Sequence, residues 1–411
     1  MTGENAPTME DTETMIDVEA ARKRLLDLRT TLLSTIETEE VEIDEIAGRT
    51  LAESLEAPGD VPEQSHATMD GFAVDATEAG PYEVVGETFP EDDPAAISST
   101  EAVRIATGAP IPPTANAVIK REEASIENGS LRGPDVEPGT YVYERGSNVA
   151  HGELLFEAGE RLSPKDSLLL GDLGIESVTV RKPFEVGLLA TGTEIHDGRS
   201  RDLDSPMLAG LFERWDHAPT HEGSVPDDYQ RVRDRIDRLA DTYDVVVTTG
   251  GTSVGEKDYV VRALDALGEV LFHRVRIRPG KPIAVARLPD HDAVAVAIPG
   301  KPVGAHTVTT LVARPLFVGA TPLPTVEAEL TDRVGVGPTG FQYAIPVTLD
   351  GGTASPLGHV DSPLPVYEET FDPSVLSSST RATRADGVVL TTDGLDAGES
   401  VDVVCYPTIE R

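Results

Sequence analysis

In residues 16–33, Ile16, Ala20, Ala21, Leu25, Leu28 and Leu32 recur at helical spacing, which predicts an amphipathic helix burying one stripe. A short strand-like stretch and a second helix near residues 47–55 are expected next. From Pro62 to about Gly152 the texture shifts to short β-prone pieces, such as 82–85 and 102–105, cut by Gly, Pro and Asp. That pattern reads as a small β-rich domain. Ser163-Pro164 has the chemistry of a helix start, and Gly174 suits the end of a helix over 166–173.

A regular alternation follows. Residues 185–190 and 244–249 read as buried strands, and 205–215 and 229–239 read as helices. A glycine loop, a helix from Asp258, strands from Val270 and Ala293 and a long helix over 303–317 complete the run. Such alternation implies parallel βαβ units in an open sheet with helices on both faces. Trp215, at the end of one helix, is expected to pack in the core. From Pro322 onward, β-branched runs at 387–392 and 400–405 predict a compact all-β domain.

Charge narrows the function. The 411 residues carry 34 Lys plus Arg against 72 Asp plus Glu, a formal net charge of −38, so most of the surface repels a phosphate backbone and nucleic-acid binding is not expected. Seven lysines stand beside twenty-seven arginines and the acids run the whole length, which reads as a solvated coat suited to a high-salt cytoplasm. The single cysteine, Cys405, cannot close an intrachain disulfide. Residues 1–17 have neither a basic nor an apolar signal region, and the longest apolar runs fall far short of the roughly 20 residues a membrane span needs. A cytoplasmic location without a membrane is the expectation.

In open α/β sheets, ligands bind beyond the carboxyl ends of the strands, so the loops there come first. Thr248-Thr249-Gly250-Gly251-Thr252-Ser253-Val254-Gly255-Glu256-Lys257-Asp258 follows a strand, and its glycines let bare amides approach an anion at a helix N-terminus. It lacks the Gly-Lys-Ser/Thr of a Walker A loop. Asp258 either caps the following helix or holds a divalent ion beside a phosphate. Arg274, Arg276 and Arg278 alternate along a predicted strand and would share a face, with Lys281 on the next turn. The plainer reading is a solvated face paired with nearby acids. Pro299-Gly300-Lys301-Pro302 is a stiff connection that adds a cation. Thr191-Gly192-Thr193-Glu194 and Asp227-Asp228 bring carboxylates, although an aspartate placed like Asp227 or Asp228 is more often a helix cap than a ligand. Together these loops describe a phosphate-sized pocket with cations for the anion and acids for magnesium.

At these residues the chain resembles the molybdopterin molybdenumtransferase family, the MoeA type that also forms the gephyrin E domain. The matching elements, in family order, are Met69-Asp70-Gly71-Phe72-Ala73-Val74, Arg104-Ile105-Ala106-Thr107-Gly108-Ala109-Pro110, Ala190-Thr191-Gly192-Thr193-Glu194, residues 250–258, Arg278-Pro279-Gly280-Lys281-Pro282 and Pro299-Gly300-Lys301-Pro302. The resemblance implies a multidomain α/β plus β fold: a disordered tail over 1–14, an elongated helical linker domain from 15–60 and 151–182, and a β-rich domain over 61–150. An open α/β molybdopterin-binding, MogA-like domain over 183–321 and a C-terminal β barrel over 322–411 complete it. It further implies a homodimer with its active site in a cleft between the pterin-binding domain of one subunit and the β domain of the other. The implied reaction inserts molybdate into adenylylated molybdopterin with magnesium-assisted release of AMP.

Carried over by position, the resemblance makes Asp70, Glu194, Asp228 and Asp258 catalytic, the last three near Mg2+. Thr107, Thr191, Gly192, Gly250, Gly251, Ser253, Gly255, Arg278, Lys281, Pro299, Lys301 and Pro302 would hold the pterin, phosphate or oxyanion. No side-chain nucleophile is implied, since the dithiolene sulfurs belong to the substrate. The chain departs from the family pattern at Ser65, His66 and Ala67, at Asn148 where an acid is usual, and at Lys301 where asparagine is usual. His66 reads either as a replacement hydrogen-bond donor or as a surface histidine. The departures leave room for tungstate in place of molybdate and for a molybdopterin carrier or scaffold; an adenylyltransferase using only the α/β domain is a competing enzyme, against which the Met-Asp-Gly and Thr-Gly-Ala-Pro motifs argue.

Overall fold

The computed structural model describes residues 15–252, 258–320 and 322–411. Contacts divide the chain into two units: one takes residues up to Glu39 with Gly48–Thr50 and Arg181–Arg411, the other takes Glu40–Ala47 and Leu51–Val180.

The first unit begins with the helix Val18–Leu33. Its residues Ala21, Leu25, Leu28 and Leu32 join one core with Phe184, Leu208, Phe212, Trp215 and Leu316. Four residues of the expected stripe thus form the buried face, whereas Ala20 is exposed and Ile16 precedes the helix, and Trp215, 1% exposed, is core packing.

A six-stranded sheet follows, in the order Ala218–Val225, Glu185–Thr191, Val245–Thr249, Ala293–Ile298, Ala284–Leu288, Glu269–His273. The first four strands are parallel. The last two run antiparallel to their neighbours, so the sheet is mixed rather than wholly parallel. The reason is a short return at residues 289–292, where Asp292 in a left-handed conformation reverses the chain directly between adjacent strands, with no crossover helix. The helices Asp204–Arg214, Tyr229–Ala240 and Tyr259–Leu267 belong to the same unit. The long helix expected over 303–317 forms as Pro302–Val308, a π-type turn Thr309–Ala313 and Arg314–Val318. Pro315 has no N–H for the regular ladder, which fits the wider turn just before it.

The C-terminal strands close into a ring: Gln342–Asp350, Thr353–Pro356, Thr325–Leu330, Ser400–Cys405, Gly387–Thr391 and back to Gln342–Asp350. Closure leaves this five-stranded barrel with no free edges. The short strand Ile277–Arg278 pairs in parallel with Gln342–Tyr343.

In the second unit, Gly71–Val74 lies between Ala117–Lys120 and Glu101–Ile105, and the sheet continues through Tyr82–Thr88, Ser130–Arg132 and Ser125–Glu127. The helix expected at 47–55 is absent, and Thr50–Leu51 and Leu55–Glu56 are strands instead. Gly48 sits at φ 88, and the amides of Leu51 and Ala52 bond to the carbonyls of Glu160 and Thr179. Distant backbone partners outweigh local helix propensity there. The helix after Ser163 starts at Asp166, whose Oδ2 accepts from the Ser163 amide and hydroxyl, and Gly174 follows its end at φ 70.

Candidate active site

Strand order locates the first part of the site. From Glu185–Thr191 the chain builds one neighbour, Ala218–Val225, then crosses to the other side to build Val245–Thr249. The topological switch point therefore lies between the carboxyl ends of Glu185–Thr191 and Val245–Thr249, where open α/β sheets leave a crevice. Three loops touch there. The Thr191 hydroxyl donates to the Thr249 carbonyl at 2.9 Å, and the Gly250 amide donates to the Ile298 carbonyl at 2.9 Å. A Cβ on Gly250 would stand 2.8 Å from the Thr191 carbonyl oxygen, and one on Gly300 would stand 3.1 Å from Gly250 Cα. With φ at 83 for Gly250 and 65 for Gly251, only glycine keeps the turn and the contact together. Pro299 is buried beneath this meeting point, and Lys301 and Pro302 begin the next helix.

The acids occupy helix starts. Asp228 Oδ1 accepts from the Arg231 amide at 2.9 Å, and Asp258 Oδ1 accepts from the Val261 amide at 3.3 Å, so both cap helices through one oxygen. Asp227 is tied to the neighbouring loop in both directions: the Thr193 amide donates to its Oδ2 at 3.2 Å, and its own amide donates to the Thr193 hydroxyl at 3.0 Å. The Glu194 carboxylate folds back over Gly192, within 2.9 Å of where a Cβ on that glycine would stand. Among the described residues, Glu194, Asp228 and Asp258 do not form a cluster with all ligand atoms within 4.8 Å.

Asp258 is buried, which pushes its carboxyl up to about 6 against the Val261 amide and the charges of Arg274 and Arg262. Its Oδ2 lies 3.7 Å from His273 Nε2. Burial first, then the Arg274 charge, drives the His273 imidazole down to about 4; Lys281 acts the same way, while a hydrogen bond with the Thr252 backbone opposes them. Thr252, in the glycine loop, is thus bonded to His273, whose imidazole has Asp258, Arg274 and Lys281 near it. Sequence reasoning missed His273. Its signal was a polar residue closing the strand Glu269–His273.

The arginine run differs from the expected common face. Arg274 is buried with φ at 74, which breaks strand alternation. Arg276 pairs with Asp17 at 3.1 Å, and the Arg278 guanidinium lies 4.3 Å above the Phe341 ring. Lys301 Nζ donates to the Ser374 carbonyl at 3.1 Å. Ser253 and Gly255 lie outside the described residues.

The second unit holds the other predicted pair. Thr107 donates to Asp70 Oδ1 through its amide and its hydroxyl, each at 2.8 Å. Those two bonds, the amide first, hold the Asp70 carboxyl below the usual carboxylate range, with smaller help from Arg121 and Arg104. Asp70, Arg104, Arg121 and Phe89 line a cavity of about 220 Å³. A Cβ on Gly71 would come within 2.1 Å of the Ile119 carbonyl oxygen, so the strand behind Asp70 requires glycine. The cavity's use of Arg104 and Arg121 was not foreseen, because they come from different segments of the chain. His66 is half-buried in the strand His66–Ala67, and no described residue bonds its buried Nδ1. Ser65 Oγ accepts from the Arg145 amide at 3.0 Å, and Asn148 is exposed.

Glycine loops at the switch point of an open α/β sheet mark a ligand-binding crevice, and a closed β barrel follows it in the chain. Residues 187–318 match the domain described as "Probable molybdopterin binding domain", and residues 16–174 match the MoeA N-terminal region (domain I and II). The molybdopterin molybdenumtransferase of Haemophilus influenzae is 31% identical over 320 residues, covering 74% of this chain and 77% of that one. That of Synechococcus elongatus is 30% identical over 301 residues, covering 68% and 75%. The solved molybdopterin biosynthesis MoeA protein of Pyrococcus horikoshii superimposes with a TM-score of 0.73 at 25% identity, over 95% of this chain and 100% of that one. The chain belongs to the molybdopterin molybdenumtransferase family, a family of transferases in molybdenum cofactor biosynthesis. Among the described residues no helix is long and apolar enough to cross a membrane.

Proposed function

We propose that this protein inserts molybdate into adenylylated molybdopterin and releases AMP. The observation that carries the reading is the meeting of the Thr191, Gly250-Gly251 and Gly300 loops at the switch point. Close backbone approach there suits a pterin phosphate, because glycines without side chains leave backbone amides open to an anion at the strand ends. Arg274 and Lys281 supply positive charge near His273, itself bonded to Thr252, in a chain whose net charge is −38. Asp70 and Thr107, bonded to each other, serve as the β domain's contribution.

The acids fit a magnesium ion held jointly with substrate. Asp228 and Asp258 each commit Oδ1 to a cap and keep Oδ2. Mg2+ typically keeps several waters and takes one or two carboxylates plus substrate phosphates, so it does not require an all-protein cage. Bound there with Glu194, it would neutralise charge developing at the pyrophosphate. The chain's own work is orientation: the glycine loops seat the phosphate, and Asp258 stays placed by the Val261 amide while the reacting bond breaks. A homodimer and a high-salt cytoplasm belong to the same proposal, supported by the family resemblance and by the acidic composition.

The test is incubation of purified protein in concentrated KCl with adenylylated molybdopterin, Mg2+ and molybdate, with AMP read by chromatography. Molybdate-dependent AMP release is expected, and tungstate run in parallel reports oxyanion preference. Tight pterin binding with no AMP would overturn the transferase in favour of a carrier, and ATP-dependent adenylylation would favour an adenylyltransferase. Asp258→Asn is expected to lose turnover far more than pterin binding.

A further inference from the structure

The barrel carries a group of side chains that the transferase reading does not use. Asp332 follows the strand Thr325–Leu330, while His359 and Asp361 lie in the connection after Thr353–Pro356. One potential ligand atom from each of the three lies within 4.8 Å of the other two. His359 is 8% exposed, at the base of a connection bound to itself: the Val366 and Tyr367 amides donate to the Gly358 carbonyl, and the Gly358 amide donates to Ser362 Oγ. Gly358 has φ 103, and a Cβ there would come within 2.8 Å of the Tyr367 ring. The local fold therefore places His359 and Tyr367 firmly against each other, with rings edge-on and 6.0 Å apart.

Two features separate this group from an ordinary histidine ion pair. Both carboxylates face one imidazole: one atom of each lies within 4.8 Å of it, and Asp361 Oδ2 stands 3.7 Å from His359 Nδ1, which the Asp361 amide also faces at 3.3 Å. The second feature is Tyr367, 7% exposed, whose buried hydroxyl has no hydrogen-bond partner among the described residues while the Asp332 charge acts on it. A buried hydroxyl left unpaired is costly, and outer-shell donors beside ligating carboxylates are a regular part of metal sites.

We propose that Asp332, His359 and Asp361 bind a divalent ion of the zinc class, with the Tyr367 hydroxyl supporting the site from behind. One imidazole nitrogen and two carboxylates suit zinc or its first-row neighbours, whereas Mg2+ and Ca2+ take oxygen donors. Zinc-ligand distances of about 2.0–2.2 Å put tetrahedral ligand atoms about 3.3 Å apart, so the group must contract modestly on binding. Asp361, exposed, is free to make that movement. The ion would fasten the connection over residues 358–372 to the end of Thr325–Leu330.

The test uses untagged full-length protein, stripped with chelator and dialysed against Zn2+ in KCl with excess Mg2+, with metal content read by mass spectrometry. One equivalent of zinc is expected to remain, with Co2+ substitution giving visible absorption bands and Zn2+ slowing proteolysis within 358–372. His359→Gln and Asp332→Asn are each expected to lose that equivalent with unchanged circular dichroism, whereas Asp258→Asn keeps it. The milder Asp361→Asn, at an exposed position, is expected to bind at least tenfold more weakly. Zinc retained equally by His359→Gln, or none retained by the parent protein above that variant, would overturn the proposal. Because AMP release is no part of these readouts, failure of the transferase reading would leave the result unaffected.

Discussion

Asp204 offers a quantitative test of how burial acts on charge in this fold. It opens the helix Asp204–Arg214 at 7% exposure, and its Oδ1 has no hydrogen-bond partner among the described residues. Asp202 already does the capping work: its Oδ1 accepts from the amides of Asp204 and Ser205, and its Oδ2 lies 3.0 Å from His221 Nε2. Burial first, and the Asp202 charge second, raise the Asp204 carboxyl from 3.8 to about 6. A folded pKa above the unfolded one means that ionisation costs more in the folded state. The cost is absent well below the unfolded value and complete once the pH has risen through about 6. At about 1.36 kcal/mol per pKa unit, the full cost is about 3 kcal/mol at pH 8 and about 1 kcal/mol at pH 4.5. Asp204→Asn removes the titration but also a negative charge at a helix N-terminus, which is worth about 0.3–1 kcal/mol. The variant should therefore gain about 2 kcal/mol at pH 8 and only about 1 kcal/mol at pH 4.5, where the folded carboxyl is already protonated and has no charge at the helix N-terminus to lose. Urea unfolding of both proteins at fixed KCl concentration measures this. An equal gain at both pH values, or a loss at pH 8, would show that the burial argument is wrong.

Gly250→Ala is expected to cost more stability than Gly223→Ala, although both glycines have positive φ. A Cβ at Gly223 meets nothing within 4 Å, whereas one at Gly250 meets the Thr191 carbonyl at 2.8 Å. The Gly223 variant should lose about 1–2 kcal/mol from backbone strain alone and the Gly250 variant clearly more, with pterin affinity falling only in the latter. Thermal melts and pterin titration separate the two, and equal losses would deny the close approach. Dilution out of salt should lower the melting temperature steeply, because a formal charge of −38 then repels itself unscreened. A melting temperature indifferent to KCl would remove the high-salt reading.

Local features of this chain were open to inspection without coordinates. The spacing of Leu25, Leu28 and Leu32 dictates which face of the first helix is buried, because helical periodicity is a property of neighbours in sequence. The glycines at 250 and 251 announce positive φ for the same reason. Asp228 and Asp258 could be read as helix caps or as ion ligands, and both do cap, each with one oxygen to spare. Tertiary structure alone decided the rest. Residues 50–56 became strands because Glu160 and Thr179 offered backbone partners, and the sheet turned antiparallel at Ala284–Leu288 because a short return at Asp292 took the place of a crossover helix. Arg274 left the expected common face through its positive φ. Asp332 and His359 came within reach of each other only when the barrel closed. Each of these outcomes depends on which distant segments pair, and that choice is made by burial and hydrogen bonding summed over the whole fold, which no local run of residues contains.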